Sequence, residues 1–127
     1  MLKSNRKAGF TLLELLIVVI IVSILAAVAL PRFSKMTKKA RSSEATTAVG
    51  SILTAESLYY QEQDKFGNTA DLLIDLNTVN FTYTITPTAS TNAQAVATGV
   101  TGTPAAGIIV TGTINNLGTR TITTTGI

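Results

Sequence analysis

The feature that most constrains this chain is an uninterrupted apolar run near its start. Phe10 to Leu30 gives twenty-one residues in which Glu14 is the only charge. As a helix rising 1.5 Å per residue, the run is about 32 Å long, enough to cross a hydrocarbon core of about 30 Å. Its apolar residues surround every face, and the rest of the chain is too short to enclose it. We therefore predict a membrane-spanning helix over residues 10–30.

Basic residues precede this run and predict its orientation. Lys3, Arg6 and Lys7 lie within residues 1–9, which contain no acid, and this arrangement is typical of a cytoplasmic N-terminus. A general secretory signal is the alternative of another class, with cleavage after Ala29 and release of a small β-rich binding protein. The apolar region of such a signal is normally about 7–15 residues long, shorter than this one.

Glu14 is the costly residue of the apolar run. A charged acid at the centre of a spanning helix costs about 2.5–3.5 kcal/mol on insertion scales. Because Glu14 lies near the start of the run, snorkelling and the positive end of the helix dipole reduce that cost. A residue tolerated at a cost calls for a partner, and nothing upstream is an obvious one unless the chain is cut.

The residues around the run carry a specific pattern. Ala8-Gly9-Phe10-Thr11-Leu12-Leu13-Glu14 opens it, and Ala26-Ala27-Val28-Ala29-Leu30-Pro31 closes it. Together with the basic leader and the span length, this pattern resembles the N-terminus of a type IV prepilin. The resemblance implies that a membrane peptidase cleaves between Gly9 and Phe10 and methylates the new amine of Phe10. It also implies an α+β pilin fold, with a long N-terminal helix packed on a small antiparallel sheet.

The chemistry of Glu14 agrees with this resemblance. Cleavage after Gly9, whose backbone is open to close approach by a protease, creates an α-amino cation at Phe10. In an apolar filament core, that ammonium and the Glu14 carboxylate of a neighbouring subunit would neutralise each other. Removing one member of such a buried pair costs about 3–5 kcal/mol. Each subunit brings both groups to opposite neighbours, so the homo-oligomeric contact is head-to-tail and builds an open helical filament.

The resemblance also implies partners and a location. The precursor would span the bacterial inner membrane, surrounded by lipid, and would then enter an extracellular pilus used for attachment, motility or uptake. Besides the prepilin peptidase/methyltransferase, assembly would need an inner-membrane platform protein and motor ATPases, since the chain has no phosphate-binding loop. A pseudopilin of a type II secretion system and a minor pilin are alternatives that share this fold and processing.

Residues 31–67 are predicted to continue the helix as an amphipathic segment. Pro31 is expected to kink the helix without ending it. Spacings of three and four predict an apolar stripe that faces the sheet: Phe33, Met36, Ala40, Ala48, Ile52, Ala55 and Tyr59. Gly67 is expected to end the segment in the left-handed conformation.

A cluster of cations follows the span: Arg32, Lys35, Lys38, Lys39 and Arg41. Acidic lipid and DNA are candidate partners. We prefer a solvated helix face that pairs with Glu44, Glu56, Glu62 and Asp64 of adjacent subunits. The +3 charge of the whole chain comes from residues 1–9, and residues 10–127 hold seven cations and seven acids. The basic balance therefore does not predict nucleic acid as a specific ligand.

Residues 68–127 are predicted to form a loop region and a Thr-rich sheet. Asn68 or Thr69 is expected to cap a short helix over Ala70–Leu76. Residues 78–127 contain sixteen Thr and a single charge, Arg120. This β-branched richness favours strands over disorder. The predicted strands are Phe81–Thr86, Ala93–Thr98, Gly107–Ile114 and Thr119–Thr125, with a hairpin turn at residues 115–118.

No catalytic residue, metal site or cofactor is predicted. The chain has no His and no Cys, which excludes His-mediated acid/base catalysis, thiol nucleophiles, disulfides and His/Cys metal sites. The tail also lacks the acids of a calcium site, a site that the resemblance associates with major pseudopilins. We therefore expect a structural subunit and no enzymatic activity.

Overall fold

The computed structural model describes residues 9–127 except Leu73. Most of the predicted leader, residues 1–8, lies outside the described residues. The chain divides into two compact units, residues 1–34 and residues 35–127. A single 52-residue helix, α1 (Leu12–Gln63), begins in the first unit and ends in the second.

In the first unit, α1 is apolar and uncovered. Its most apolar eighteen-residue window has a mean hydropathy of 3.0 and contains no buried residue. By length and composition this segment is able to cross a membrane, although a signal sequence would meet the same criterion. The Ser23 hydroxyl donates to the Val19 carbonyl oxygen at 2.7 Å, so its polar atom is paired within the helix. The helix continues past Pro31, so this proline does not end it.

The second unit places a four-stranded antiparallel sheet beside the C-terminal part of α1. The strands are β1 (Phe81–Ala89), β2 (Asn92–Gly99), β3 (Ile109–Asn115) and β4 (Arg120–Thr125). They follow one another in chain order across the sheet, and each pairs with the next. This confirms the α+β class and the four predicted strands, whose observed bounds shift by up to three residues.

The core of the second unit lies between one face of α1 and one face of the sheet. The helix contributes Ala45, Val49, Ile52 and Leu53, spaced so that they share a face. The sheet contributes alternate residues of its three first strands: Phe81, Ile85, Ala93, Ala95, Ala97, Val110 and Ile114. Alanine occupies all three buried positions of β2. Small side chains on this strand leave room for the larger helix side chains.

Gly112 of β3 marks the closest approach between helix and sheet. A Cβ built on this glycine would lie 2.4 Å from Val49 Cγ1 and 3.0 Å from Leu53 Cδ1. Both neighbours are fully buried, so neither has free space to move into. The glycine therefore allows α1 to pack directly on the β3 backbone.

The predicted apolar stripe of α1 is wrong in its position. Phe33 and Met36 are more than 70% exposed, and of the predicted set only Ile52 is fully buried. The buried face instead includes two polar residues, Ser42 and Glu56. The Ser42 hydroxyl donates to the Lys39 carbonyl oxygen at 2.9 Å, which satisfies it locally. A buried face predicted from apolar residues alone is misplaced when polar side chains on that face form hydrogen bonds within the chain.

The predicted end of the helix is also corrected. Helix α1 ends at Gln63, and Asp64 takes the left-handed conformation with φ of 53°. Aspartate is one of the few residues other than glycine that tolerates this conformation. Gly67 is buried and closely surrounded. A Cβ built on it would lie 3.2–3.3 Å from side-chain atoms of Asp71, Leu72 and Tyr59. A side chain at this position would therefore be tightly packed, and Gly67 does not adopt the left-handed conformation.

The predicted helix over Ala70–Leu76 is absent from the described residues of this segment, which form a turn and a bend followed by chain without regular secondary structure. The Asn68 side chain accepts from the Ala70 N–H at 2.9 Å, and the Asp71 side chain accepts from the Asn68 N–H at 2.9 Å. These bonds close a turn that competes with a helix start. Beyond it, Leu72, Ile74 and Leu76 pack against the core, at the period of two that extended chains adopt.

The hairpin turn predicted at residues 115–118 is confirmed. The Asn115 side chain accepts from the N–H groups of Leu117 and Thr119 at 3.1 and 2.8 Å. Gly118 has φ of 79°, a conformation that glycine adopts without strain. The turn therefore depends on both Asn115 and Gly118.

The contact between α1 and β3 is tested by two glycine substitutions. Gly112→Ala forces a methyl group into Val49 and is expected to destabilise the second unit by about 1–3 kcal/mol. Gly50→Ala places a methyl group in open space on the helix and is expected to stabilise it by about 0.5–1 kcal/mol. Thermal unfolding of the detergent-solubilised full chain, followed by the near-UV circular dichroism of its tyrosines, measures both. Equal effects of the two substitutions would contradict the packing described for Gly112.

Candidate assembly surface

The N-terminal turn of α1 carries the predicted cleavage and assembly residues. Gly9 and Phe10 precede the helix, and the Phe10 side chain is 75% exposed. A Cβ built on Gly9 meets no atom within 4 Å. The Gly9–Phe10 peptide bond therefore lies in accessible, non-helical chain. A peptidase requires such accessibility to bind and cleave a peptide bond.

Thr11 caps this helix and holds Glu14, a relation that the sequence analysis missed. The Thr11 hydroxyl oxygen accepts from the Glu14 N–H at 3.1 Å, and the hydroxyl lies 3.5 Å from Glu14 Oε2. Thr-x-x-Glu at a helix start is the capping-box pattern, and it is the signal that would have found Thr11. The cap satisfies one free N–H of the first turn and keeps the Glu14 carboxylate beside the positive end of the helix.

The apolar residues that follow form a long exposed surface. Leu12, Leu13, Ile24 and Leu25 are each more than 60% exposed. Along one side, Leu12, Leu15, Leu16, Val19 and Ile20 line a shallow apolar groove. An apolar surface of this extent marks a site of contact with lipid or with another protein. The predicted site residues Gly9, Phe10 and Glu14 lie at its N-terminal end, and Pro31 lies at its other end.

The cations after the span divide into two groups. Lys38 donates to the Gly126 carbonyl oxygen at 3.3 Å, and Arg41 forms an ion pair with Glu44 at 3.1 Å. The structure shows no hydrogen bond or ion pair from Lys35 or Lys39 to any residue it describes, and both are exposed. Two of the five cations are therefore occupied within the described chain. Arg32 lies in the first unit, and Lys35 and Lys39 of the second unit are available to a partner.

Glu56 is not available to a neighbouring subunit, contrary to the prediction. It is fully buried, and its Oε2 accepts from the Gly67 N–H at 2.9 Å. Its Oε1 has no hydrogen-bond partner among the described atoms. Desolvation by burial raises the pKa of this carboxyl, the Gly67 N–H opposes that shift, and the nearby Asp71 charge raises the pKa further. Glu56 thus ties α1 to the loop after it, at the cost of burying an ionisable group.

An open groove lies on α1 close to this tie. Its volume is about 250 Å³, and it is lined by Ala55, Leu58, Tyr59, Glu62, Asp71 and Leu72. Glu62 comes from the helix and Asp71 from the loop, and both are exposed. Leu58 is 57% exposed. We refer to this feature as the acidic groove. Within the described part of the chain, no group of three or more His, Cys, Asp or Glu is placed to hold a metal ion.

Two family models match this chain. The model for the prokaryotic N-terminal methylation motif matches residues 4–30, which include Gly9, Phe10 and Glu14. The model for type IV pilin-like G and H proteins matches residues 42–123, which is more than half of the chain. The chain belongs to the type IV pilin-like family. Its globular unit and its N-terminal segment are therefore each assigned by an independent match.

Relatives of this pilin-like chain are named as pilus proteins. It is 42% identical over 68 residues to the type IV major pilin protein PilA of Myxococcus xanthus, covering 54% of this chain and 31% of that protein. It is 46% identical over 57 residues to the type IV pilus subunit protein TapA of Aeromonas hydrophila, covering 45% and 40%. The chain thus matches less than half the length of either relative. No solved structure matches it significantly.

The buried Glu56 predicts a specific pH dependence of stability. Because its pKa is raised on folding, the stabilising effect of its proton is fully present below the ordinary pKa of about 4.5 and is lost as the pH rises through the folded pKa. Glu56→Gln removes the titration and keeps an oxygen acceptor for the Gly67 N–H. The free energy of unfolding of the wild type, relative to that of Glu56→Gln, is expected to fall with rising pH across this window.

Denaturant unfolding at a series of pH values measures this difference. Glu62→Gln is the matched control, because it replaces an exposed carboxylate on the same helix and leaves Glu56 in place. It is expected to keep the wild-type pH profile. A constant difference between wild type and Glu56→Gln at all pH values would show that burial does not raise the pKa of Glu56.

Proposed function

We propose that this chain is a structural subunit of a type IV pilus, cleaved after Gly9, methylated at the Phe10 amine and polymerised through α1. The observation that carries the proposal is the uncovered apolar part of α1, which starts directly after the predicted cleavage site. The family match of residues 42–123 and the methylation-motif match of residues 4–30 support it. Both relatives described above are named as pilus subunits.

The apolar part of α1 fits two successive environments. Its length suits a bilayer before assembly, and its exposed leucines and isoleucines suit packing against identical helices afterwards. Moving from lipid to a helix bundle leaves these side chains in apolar surroundings, so neither state requires them to contact water. The subunit would therefore span the bacterial inner membrane, with its N-terminus in the cytoplasm, until it enters the extracellular filament.

Glu14 and the new amine would control insertion into the filament. The Glu14 carboxylate, whose Oε2 lies 3.5 Å from the Thr11 hydroxyl at the helix start, would accept from the Phe10 ammonium of a neighbouring subunit. Each charge is costly in apolar surroundings alone, and their pairing offsets that cost. Only a subunit that brings both groups into register would enter the growing end without an unpaired buried charge. Methylation of the amine retains its positive charge and hence the pairing.

The proposed function also requires partner proteins that process the subunit and assemble the filament. A prepilin peptidase would cleave Gly9–Phe10 and methylate Phe10, and a platform protein with assembly ATPases would extract the subunit from the membrane. Attachment, motility and uptake are the processes that such a filament would serve.

A pseudopilin or a minor pilin would share this fold and processing. Calcium sites in proteins usually include Asp or Glu ligands, and residues 78–127 contain neither. This composition favours the pilin over a calcium-binding pseudopilin. A secreted β-rich protein cleaved after Ala29 is not favoured, because the methylation-motif match extends through residue 30.

The mature N-terminus distinguishes these processing routes. Expressed in a pilus-assembling bacterium, the mature chain is expected to begin with N-methyl-Phe10, as read by mass spectrometry of its N-terminal peptide. A Gly9→Ala variant adds a single methyl group at the cleavage site and is expected to accumulate as the uncut precursor. A wild-type chain that begins at Leu30 would instead identify a general signal peptidase and contradict the proposal.

The role of Glu14 is separable from cleavage. Glu14→Ala is expected to be cleaved and methylated normally but to yield at least about tenfold fewer filaments, because the Phe10 ammonium loses its partner, a loss of about 3–5 kcal/mol per contact. Filament yield is counted by electron microscopy of cell surfaces and sheared fractions. Asp75→Ala, which removes an exposed loop carboxylate, serves as the control and is expected to assemble normally. Normal filaments from Glu14→Ala would refute the pairing.

A further inference from the structure

Two surfaces of the second unit have complementary charge and form no ion pair with any residue that the structure describes. The first consists of Lys35, Lys39 and the intervening Met36, all exposed on α1; we call it the basic face. The second is the acidic groove, where Glu62 and Asp71 flank the exposed Leu58. We propose that the basic face of one subunit docks into the acidic groove of a second copy of this chain, an inference that rests on the proposed function.

Charge complementarity identifies a second copy as the occupant. The other acids of α1 beyond the span are already engaged, since Glu44 pairs with Arg41 and Glu56 is buried against Gly67. Likewise, Lys38 is bonded to the Gly126 carbonyl oxygen. Along α1 from Lys35 onward, the charges that remain exposed without a described partner are therefore Lys35, Lys39 and Glu62. Opposite charges at an interface fix partner and register.

The positions of the two surfaces along α1 suit parallel subunits. Lys35 and Glu62 are separated by twenty-seven residues in the chain, or about 7.5 helical turns, so they lie on opposite sides of the helix. Two parallel helices placed side by side meet through opposite sides. The same separation corresponds to about 40 Å along the axis, and Lys39 lies about 6 Å closer to Glu62. Docking would therefore set a stagger of about 35–40 Å between the two copies.

The shape of the acidic groove matches a lysine as well as its charge does. The apolar side chains of Leu58 and Leu72 line the same groove as the two carboxylates. A lysine places its four-carbon stem on apolar surface and its ammonium near acids or water. Lys39 of the incoming copy would contact Leu58 through its stem and Glu62 and Asp71 through its ammonium. Met36, which is 72% exposed on the same stretch of α1, would pack against Leu58 and so become less exposed to water.

A contact of this kind is heterologous and does not close on itself. Every subunit has one basic face and one acidic groove, so each copy engages one neighbour through each surface, and the series continues as an open helix. This contact between second units adds to the Phe10–Glu14 contact in the filament core. The two differ in their response to salt, because exposed pairs are screened at high ionic strength and buried pairs much less.

Charge exchange tests the docking in filaments made by a pilus-assembling host that lacks its own major pilin. Lys39→Glu and Glu62→Lys are each expected to reduce filament yield at least about tenfold, because like charges then face each other. The combined variant Lys39→Glu/Glu62→Lys is expected to recover most of that loss. Lys65→Glu and Asp75→Lys, which reverse exposed charges outside both surfaces, are the controls and are expected to assemble as the wild type does.

A second measurement is independent of filament yield. The chain contains no cysteine, so Lys39→Cys and Glu62→Cys introduced into one chain are the only thiols available to a short bifunctional maleimide. The two positions are about 35 Å apart within one chain, so a crosslink between them joins different copies. A ladder of crosslinked oligomers is expected from filaments of this variant, whereas Lys39→Cys paired with Asp75→Cys gives none.

The outcomes separate this inference from the proposed function. Recovery in the charge exchange together with the crosslinked ladder supports the docking. The docking is overturned, and the pilus function is left intact, if wild-type filaments form normally but two further results are seen. These are charge reversals that have no effect or are not rescued, and the absence of a crosslinked ladder. A wild-type chain that forms no filaments in this host overturns both.

Discussion

The strongest physical constraint on the first unit is that the apolar surface of α1 must be covered. Residues 12–30 present leucine, isoleucine and valine on every side, and none of the most apolar window is buried. Transfer of such side chains from water contributes about 25 cal/mol per Å², so the isolated segment in water is strongly disfavoured. In the proposed pilus subunit, lipid and then identical helices would cover this surface. Anchoring and polymerisation would then have the same physical cause.

In the second unit, the same helix has one face buried against the sheet and the opposite face exposed to solvent. Small residues lie on the buried face of the sheet. Gly112 on β3 lets Val49 and Leu53 approach the strand backbone, and the three buried positions of β2 are alanines. The loop after the helix is tied back by the buried bond from the Gly67 N–H to Glu56. These contacts hold the Thr-rich sheet on α1 without a disulfide, since the chain has no cysteine.

The elements predicted best from the sequence were those with one dominant signal. The apolar run predicted a helix, the alternation in Phe81–Thr86 predicted a strand, and the Asn-Asn-Leu-Gly sequence predicted a turn. The observed helix and strands confirm them. The prepilin-like pattern was predicted as a unit, and the family matches support it. Gly9, Phe10 and Glu14 as cleavage, methylation and assembly residues stay predictions.

The errors arose where a polar side chain decides the structure through a distant or local bond. Glu56 was assigned to a neighbouring subunit because nothing local in the sequence shows that it reaches Gly67, eleven residues away. The buried stripe was misplaced for the same reason, since it includes Ser42 and Glu56. The predicted helix at residues 70–76 failed because Asn68 and Asp71 close a turn instead. Thr11 was the exception, because its capping pattern with Glu14 was present in the sequence and was overlooked.

In the proposed filament, the segment from Phe10 through the apolar part of α1 forms the core, and the Phe10 amine pairs with Glu14 of a neighbouring subunit. Electron cryomicroscopy of filaments from cells that express this chain tests it most directly. The expected result is a helical assembly whose centre consists of parallel N-terminal helices from subunits that begin at Phe10, with density linking that amine to a neighbouring Glu14 carboxylate. Filaments in which residues 10–30 are missing, or in which Glu14 faces solvent away from every Phe10 amine, would contradict it.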